Sequence, residues 1–345
     1  MHDAIPHALV LPFERDLLAF PSRAFLLRGQ PSDAFGAEWR PILTCEQSFK
    51  PAYDALRAAG YSAVPRLEGR FPVGLVLLTK HKVENRANVA RAWSLLEPGG
   101  TLVACGANAI GANSFEREVA KAVGLEGNLS KHQARTFWLK CEGDAMPEAL
   151  AAWLAAAEPR PVGDTGLCAR AGCFSPDHVD TGSRILAECL PDAITGRVAD
   201  LGAGWGYLGA QLLRRFPTIT ELDSYEGEAL AIEDGQANLA RIDHAAQRTW
   251  HWTDVAVGLP EVQPYDWIVS NPPFHEGAKA DPGIGRAFIA AAWKAIRRRG
   301  KFVLVANQHL PYEAELRKRF RDVELLRVAE GFKVYVATNR HDVVK

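Results

Sequence analysis

The sequence predicts an α/β fold in which two similar domains follow one another along the chain. Segments with helical and strand-like periodicity alternate through all 345 residues, and the hydrophobic share of 48% is enough to fill two cores of ordinary size. Residues 86–103 resemble residues 286–303, and a buried strand in the second half runs into a glycine-rich turn. Together these observations predict a parallel sheet covered by helices in each half.

The internal repeat is the first element of that prediction. In both copies an apolar strand (residues 73–78 or 266–270) precedes an alanine-rich helix and a second strand (residues 101–104 or 301–305). Between helix and second strand lies a glycine that can take the left-handed conformation that ends a helix. The identical pairs are Arg86 and Arg286, Ala87 and Ala287, Ala90 and Ala290, Ala92 and Ala292, Trp93 and Trp293, Gly100 and Gly300, and Val103 and Val303.

Between the copies, residues 142–176 are rich in Ala, Pro and Gly, and they are predicted to contain the linker. We therefore expect one domain at residues 1–160 and a second at residues 161–345.

Charge and cysteine content limit the possible partners. The net charge of −1 gives no general electrostatic reason to bind nucleic acid, so any RNA contact has to be local. The six cysteines are scattered, and only Cys168 and Cys173 lie close together, so no metal site is expected. No stretch resembles a signal peptide or a membrane span, which favours a cytoplasmic protein with reduced thiols and no membrane partner.

The second half contains a pattern typical of nucleotide-type cofactor sites. A strand leads into a turn with Asp200, Gly202, Gly204 and Gly206, and a helix is predicted at about residues 207–216. The glycines let the backbone approach a ligand closely, and the helix start favours negative charge. The next strand, at about residues 218–225, ends at Glu226, which can accept hydrogen bonds from ribose hydroxyls. These features alone leave NAD and S-adenosylmethionine both open.

The run Asn271-Pro272-Pro273-Phe274, at the end of a strand, separates those two cofactors. Two prolines cannot continue a central strand, so they fix a rigid loop at the edge of the sheet where ligands bind. The Asn271 side-chain oxygen and a rigid backbone carbonyl can accept both N–H bonds of a planar amine and direct its lone pair at a methyl group. Phe274 offers a face for stacking. We predict Asn271, Pro272 and Phe274 as catalytic residues and assign no role to His275 or Glu276.

With these motifs in this order, the chain resembles class I methyltransferases, whose Rossmann-like domains use S-adenosylmethionine. More closely it resembles the bacterial 16S rRNA guanine-N2 methyltransferases of the RsmC type. The closer resemblance rests on the duplicated chain, on residues 271–277 and on residues 173–183.

The resemblance implies roles for individual residues. The glycine turn would hold the methionine part of S-adenosylmethionine, Glu226 its ribose and Asp254 its adenine. The residues that would help to close the pocket, and that locally also predict a helix cap, are Asp180, Thr181 and Ser183.

The first copy departs from this pattern. It has no glycine-rich cofactor turn, and it has Thr79-Lys80-His81-Lys82 where the second copy has the Asn-Pro-Pro loop. The resemblance implies a degenerate first domain with a scaffold or RNA-positioning role. It also implies that the partner is small-subunit rRNA, free or within the assembled 30S particle.

Three alternatives remain open at this point. The same amine chemistry suits a large-subunit rRNA guanine, the N6 position of adenine or a protein glutamine. An NAD-dependent oxidoreductase would use the glycine turn and Glu226 but would leave the Asn-Pro-Pro-Phe loop unexplained. A non-catalytic RNA-binding protein is what the first half alone suggests, whereas the intact motifs of the second half argue against it.

Overall fold

The computed structural model describes residues 4–260, 263–273, 275–276, 279–280 and 282–339. The chain divides into two compact units, residues 1–158 and residues 159–345. This division lies two residues before the boundary predicted from the sequence. Among the described residues, no helix has both the length and the apolar character that crossing a membrane requires.

The first unit is a seven-stranded sheet with helices on its faces. Its strands are β1 (Ala24–Leu27), β2 (Leu43–Glu46), β3 (Ser62–Val64), β4 (Phe71–Leu77), β5 (Leu96–Ala107), β6 (Gly127–Lys131) and β7 (Ala134–Lys140). Its helices are α1 (Ala4–Glu14), α2 (Lys50–Ala58), α3 (Lys82–Ser94), α4 (Ala112–Val123) and α5 (Glu148–Ala155), with a short 3-10 helix at Asn108–Ile110. The strands lie in the order β3-β2-β1-β4-β5-β7-β6, and β7 runs antiparallel to both of its neighbours.

The second unit contains a sheet of the same design. Its strands are β8 (Arg160–Pro161), β9 (Cys168–Ala169), β10 (Gly196–Leu201), β11 (Ile219–Glu226), β12 (Gln247–Trp252), β13 (Tyr265–Ser270), β14 (His275–Glu276), β15 (Lys279–Ala280), β16 (Ile296–Asn307), β17 (Asp322–Ala329) and β18 (Phe332–Thr338). Its helices are α6 (Thr181–Glu188), α7 (Tyr207–Arg215), α8 (Ala229–Ala240), α9 (Pro282–Ala295) and α10 (Tyr312–Arg319). The large sheet has the order β12-β11-β10-β13-β16-β18-β17, with β18 antiparallel, while β8 pairs with β9 and β14 with β15.

The two large sheets have the same strand order, and the sequence repeat occupies the same place in each. Residues 86–103 span α3 and the start of β5, and residues 286–303 span α9 and the start of β16. Both β5 and β16 are 12 residues long and bury the same positions from their fifth residue onward. The predicted tandem of Rossmann-like domains is thus confirmed.

The repeated glycines act differently from the prediction. The left-handed backbone conformation falls one residue earlier, at Gly99 (φ 79°) and Arg299 (φ 63°). A Cβ on Gly100 would lie 2.8 Å from the carbonyl oxygen of Glu97, and one on Gly300 would lie 3.0 Å from that of Arg297. These glycines are therefore required by close backbone approach and not by helix termination.

The prediction that residues 142–176 contain the linker is mostly wrong, because these residues fold onto the two units. Leu150 of α5 is fully buried in the core of the first unit. Val162, Leu167 and Cys173 are buried in the core of the second unit. The alanine, proline and glycine content suggested an exposed connection, but enough apolar side chains are spaced along the segment to anchor it on both sides.

The centre of the second sheet explains where its functional residues must lie. The last four residues of β10 and of β13 are buried, as expected for parallel strands covered by helices on both faces. Side chains within these strands fill the core, so polar groups reach a ligand only where the strands end. The carboxyl ends of β10, β11, β12 and β13 meet at one edge of the sheet.

Candidate active site

The predicted site residues of the second unit lie in sequence along that edge. The strand order places Asp254 after β12, Glu226 at the end of β11, the glycine turn after β10 and Asn271 after β13. Because these four strands are parallel neighbours, residues distant in sequence are brought into one row. A long ligand lying across the edge would meet them one after another.

The glycine turn has a conformation that only glycine adopts freely. Gly202, Gly204 and Gly206 have φ values of 77°, 54° and 86°. The backbone N–H of Gly202 donates to the carbonyl oxygen of Tyr225 at 2.9 Å, which holds the turn on β11. A Cβ on Gly204 would meet no atom within 4 Å, so this glycine leaves an approach to the backbone open. Helix α7 begins directly after Gly206, with its free N–H groups at this edge.

Asp200 is a buried carboxylate beneath the turn. Its side chain is fully buried, and neither oxygen accepts a hydrogen bond from the described part of the chain. Burial raises the pKa of the Asp200 carboxyl to about 7, and the charge of Glu226 adds to this rise. The N–H of Gly209, near the carboxyl but outside hydrogen-bond geometry, opposes it. A buried acid without a partner is costly, and a cationic ligand would supply the missing partner.

Glu226 ties the end of β11 to the glycine turn. Its Oε2 accepts the N–H of Gly204 at 2.8 Å, and its Oε1 accepts the N–H of Glu228 at 2.8 Å. Burial raises the pKa of Glu226, and these backbone donors oppose the rise. Each carboxylate oxygen keeps a further lone pair with which to bind hydroxyl groups.

Asp254 begins a turn after β12. Its Oδ1 accepts the N–H of Ala256 at 2.9 Å. The preceding residue, Thr253, donates its N–H to the carbonyl oxygen of Glu226 at 2.9 Å, so the two strand ends are joined. Asp254 therefore lies one strand beyond Glu226, at the outer end of the row.

Asn271 is held from two sides. Its Nδ2 donates to Asp180 Oδ2 and to Ser183 Oγ, both at 2.8 Å. The strand end before it is fixed by the Ser270 hydroxyl, which donates to the carbonyl oxygen of Leu201 at 2.7 Å. Pro272 is buried directly after Asn271. Since both hydrogens of the Asn271 amide are engaged, its Oδ1 is the group available to an incoming donor.

Both sequence interpretations of residues 180–183 describe real contacts. Asp180 is the N-cap of α6 and accepts the N–H of Ser183 at 2.9 Å. Asp180 and Ser183 also line the pocket next to the glycine turn, whereas Thr181, the first residue of α6, is not among the lining residues.

The pocket beside the turn has a volume of about 400 Å³, including its opening to solvent. Three aromatic residues to which the sequence gave no role help to form it, namely Phe174, Trp205 and Tyr207. Phe174 is 58% exposed at the pocket, and its carbonyl oxygen accepts the N–H of the Trp205 indole at 3.0 Å. The lining residues are Phe174, Ser175, Asp180, Ser183, Gly202, Ala203, Gly204, Trp205, Tyr207, Leu208 and Asn271.

Residues 167–176, which we name the entry segment, are anchored to α8 by buried polar groups. Arg170 donates through Nη2 to Asp234 Oδ1 at 2.7 Å, and the Asp234 side chain has no exposed surface. Asn238 Nδ2 donates to the carbonyl oxygens of Cys168 at 2.7 Å and Trp205 at 2.8 Å. The same amide thus links the entry segment to the glycine turn. These contacts join residues far apart in sequence, so no local sequence pattern predicts them.

Part of the predicted loop cannot be placed. Phe274 and Gly277 lie outside the described residues, so the predicted stacking role of Phe274 stays a prediction. His275 and Glu276 form β14, which pairs with β15. Across the described ranges, no group of three or more His, Cys, Asp or Glu residues is arranged to hold a metal ion.

The first unit has lost the same site in identifiable ways. Strand register places Arg28 at the position of Gly202 and Gln47 at that of Glu226. Arg28 keeps the left-handed conformation, with φ 61°, although it is not glycine. Gln47 Nε2 donates to the carbonyl oxygen of Gly29 at 2.7 Å, so the strand-end residue closes on the first unit's own backbone.

The counterpart of Asn271 is lost as well. The strand register of the first sheet gives Leu77 the position that Asn271 has in the second sheet. The equivalent loop therefore begins at Leu77, two residues before the predicted Thr79. Arg28 forms an ion pair with Glu84 at 3.1 Å, between the end of β1 and the start of α3. An apolar residue and an ion pair therefore replace the acceptor and the glycine turn, as expected of a degenerate copy.

Comparisons with known proteins agree with this geometry. The family model of the methyltransferase small domain matches residues 164–336. The chain is 31% identical over 245 residues to ribosomal RNA small subunit methyltransferase C of Shewanella loihica, which covers 70% of this chain and 69% of that protein. The protein of the same name from Shewanella oneidensis is 29% identical over 245 residues, with the same two coverages.

One solved structure resembles the whole chain. It is the 16S rRNA N2 methyltransferase RsmC of T. thermophilus, in complex with AdoMet and guanosine. The TM-score is 0.75 at 25% sequence identity, and the match covers 97% of this chain and 91% of that one. With the duplicated sheets, the glycine turn and the Asn271 loop, these matches show that the chain belongs to the ribosomal RNA small subunit methyltransferase C family.

Proposed function

We propose that this protein transfers a methyl group from S-adenosylmethionine to the exocyclic N2 amine of a guanine in 16S rRNA. The observation that carries the proposal is the fixed amide of Asn271. Its nitrogen is engaged by Asp180 and Ser183, so its oxygen is the acceptor offered beside the glycine turn. An acceptor held in this way suits an amine that must donate a hydrogen bond while its lone pair attacks.

The row of residues from Asp254 to Asp200 fits S-adenosylmethionine. Asp200 is buried, and its carboxylate has no hydrogen-bond partner among the described residues, which suits a ligand that carries positive charge. Glu226 would bind the ribose hydroxyls, the glycine turn the methionine part and Asp254 the adenine amino group, in the order in which the strands place them. When bound, S-adenosylmethionine supplies an electrophilic methyl group on a sulfonium.

The chain's own residues then have a limited chemical task. The nitrogen of a guanine N2 amine is conjugated with its ring, so its lone pair must leave conjugation before it attacks. Asn271 Oδ1 and the carbonyl oxygen of Pro272 would accept the two N–H bonds and hold the amine in that orientation. The proton leaves after the nitrogen has become cationic, so no strong base is needed. Positioning therefore supplies most of the rate.

The substrate class is supported by family membership and by the aromatic group at the pocket. A guanine in folded RNA must be turned out of its helix to reach Asn271, and an aromatic face stabilises such a base by stacking. Phe174, exposed at the pocket, offers one face, and Phe274 is the predicted second. The T. thermophilus relative is named for guanosine 1207, and we propose the corresponding nucleotide as the target.

The first unit is proposed to position the RNA or to act as a scaffold. Its sheet has the same strand order as the catalytic one, but Arg28, Gln47 and Leu77 replace the residues that would bind cofactor and amine. A unit that keeps its fold while losing this chemistry is suited to binding the substrate outside the reaction site. We place the whole activity in the cytoplasm, where rRNA is found.

The test is methyl transfer from radiolabelled S-adenosylmethionine to isolated 30S subunits, 50S subunits, free 16S rRNA and total protein. The proposal predicts N2-methylguanosine in 16S rRNA, and the comparison of 30S with free rRNA tells which form is recognised. Label in 50S rRNA, in N6-methyladenosine or in protein glutamine would assign the same chemistry to another substrate. Binding of NAD in place of S-adenosylhomocysteine, measured by titration calorimetry, would contradict the enzyme class.

A further inference from the structure

The amide of Asn271 has a polarity that its neighbours determine. A carboxamide presents two donors on one side and an acceptor on the other, and rotation by half a turn exchanges them. In this chain the donor side faces Asp180 Oδ2 and Ser183 Oγ, each at 2.8 Å. Asp180 Oδ2 also accepts the N–H of Ser183 at 2.9 Å, so the carboxylate is itself fixed at the start of α6.

An ionised carboxylate can accept hydrogen bonds but cannot donate them, so Asp180 stabilises only one of the two orientations of the Asn271 amide. If the Asn271 amide were reversed, its oxygen would face the Asp180 oxygen with no hydrogen between them. The Ser183 hydroxyl alone does not decide the orientation, because it can rotate to donate or to accept. The charge of Asp180 is therefore what keeps the amide oxygen on the side of the incoming amine.

We propose that Asp180 is a positioning residue that sets the polarity of the Asn271 amide, and thereby makes Asn the required residue at position 271. The inference rests on the proposed function, because it assigns a purpose to the amide oxygen, which accepts no hydrogen bond from the described residues. It adds a role to the expectation that Asp180 helps to close the pocket. A carboxylate at position 271 of this chain would lie at hydrogen-bond distance from that of Asp180.

Helix capping is the competing explanation for Asp180, and one substitution separates the two. Ser caps a helix about as well as Asp does, so Asp180→Ser keeps the cap. Its hydroxyl, however, can donate as well as accept, so it no longer determines which side of the Asn271 amide faces α6. Loss of a cap predicts lower stability, whereas loss of polarity predicts a lower kcat at unchanged stability.

The experiment compares Asp180→Ser, Asn271→Asp and the double variant that carries both changes. With saturating S-adenosylmethionine and 16S rRNA, we expect Asn271→Asp to lose kcat by roughly a hundredfold, because two carboxylates then face each other. We expect Asp180→Ser to lose kcat by about tenfold, because the Asn271 amide is no longer held in one orientation. In the double variant the serine hydroxyl donates to the carboxylate introduced at position 271 and leaves one of its oxygens for the amine. We expect kcat at least about tenfold above Asn271→Asp, a coupling that only residues in contact produce.

Ser183→Ala is the matched control, because it removes a partner of the same amide but leaves the carboxylate. We expect it to lower kcat by less than about fivefold, in line with one neutral hydrogen bond. The Kd for S-adenosylhomocysteine and the Tm should stay near wild type in Asp180→Ser. Wild-type kcat in Asp180→Ser, or a double variant no better than Asn271→Asp, would overturn the inference.

A readout without activity keeps this inference separate from the proposed function. In protein labelled with ¹⁵N at Asn, the side-chain resonances of Asn271 are identified by their loss in Asn271→Asp. We expect slow hydrogen exchange at this amide in wild type and fast exchange in Asp180→Ser. If wild type fails to methylate 16S rRNA but the exchange rates differ as stated, only the proposed function fails. If the exchange rates are equal, the polarity assignment fails.

Discussion

Replacing Asp200 by Asn removes a buried negative charge whose effect on cofactor binding can be worked out from the structure. The carboxyl is fully buried, accepts no hydrogen bond from the described residues and has its pKa raised to about 7. The free protein therefore holds a proton on Asp200 through much of the range between about pH 4 and pH 7. The α-ammonium group, which S-adenosylmethionine and S-adenosylhomocysteine share, must displace that proton when it pairs with the carboxylate.

The expected magnitude follows from this pKa. With a pKa of about 7, about nine tenths of the free protein has Asp200 ionised at pH 8 and about one tenth at pH 6. We therefore expect the Kd for S-adenosylhomocysteine to be about tenfold weaker at pH 6 than at pH 8. At about pH 6.5, binding should release roughly three quarters of a proton from this group.

As the pH rises, the Asp200 carboxyl strengthens ligand binding but lowers the stability of the ligand-free protein. Because the folded protein binds the Asp200 proton more tightly than the unfolded chain does, the free energy of unfolding falls as the pH rises from about 4 to above 7. The difference between 3.8 and about 7 corresponds to ~4 kcal/mol at most. Asp200→Asn should therefore be more stable than wild type at pH 8 without ligand, and equally stable at about pH 4.

Titration calorimetry of both proteins in buffers with different ionisation enthalpies gives the Kd and the released protons together. The ligand's own titration appears in both proteins, so the difference isolates Asp200. Asp200→Asn should bind about a hundredfold more weakly at pH 8, since a neutral amide lacks the charge that attracts the α-ammonium group, and should lose the pH dependence. A wild-type Kd that does not change between pH 6 and pH 8, with no proton release, would refute the reasoning.

Three further predictions concern other parts of the chain. Asn271→Ala should lower kcat by about a thousandfold while the Kd for S-adenosylhomocysteine stays near wild type, and loss of cofactor binding would show that its role is misassigned. Calorimetry should find one bound S-adenosylhomocysteine per chain, because Arg28, Gln47 and Leu77 replace the site in the first unit, and a second bound ligand would contradict its degeneracy. Asp234→Asn should lower the free energy of unfolding in urea by ~3 kcal/mol, because it leaves Arg170 without its buried partner. An unchanged midpoint of urea unfolding would show that Glu233 alone holds Arg170.

The sequence predicted the positions of those candidate site residues that belong to strand ends. Asp200, Gly202, Glu226, Asp254 and Asn271 each follow or end a recognisable strand, and parallel strands bring their carboxyl ends to one edge. The periodicity that identified the strands therefore also placed the residues, and the repeat identified the second sheet.

Contacts between distant segments were not predictable in the same way. Asp180 and Asn271 are 91 residues apart, and Arg170 and Asp234 are 64 apart. Nothing local distinguishes an Asp that caps a helix from one that also fixes an amide in another segment. The composition of residues 142–176 was misleading for the same reason, because their burial depends on surfaces formed elsewhere in the chain.

The central claim is that the site around Asn271 positions N2 of a guanine in 16S rRNA for methylation. It is tested most directly in cells. The measurement is the N2-methylguanosine content, by mass spectrometry, of the 16S rRNA fragment around the proposed nucleotide. The comparison uses a strain without this gene, complemented with wild type or Asn271→Ala. The account predicts loss of the modification, full recovery with wild type and none with Asn271→Ala. An unchanged modification in the strain without the gene, or full recovery with Asn271→Ala, would contradict it.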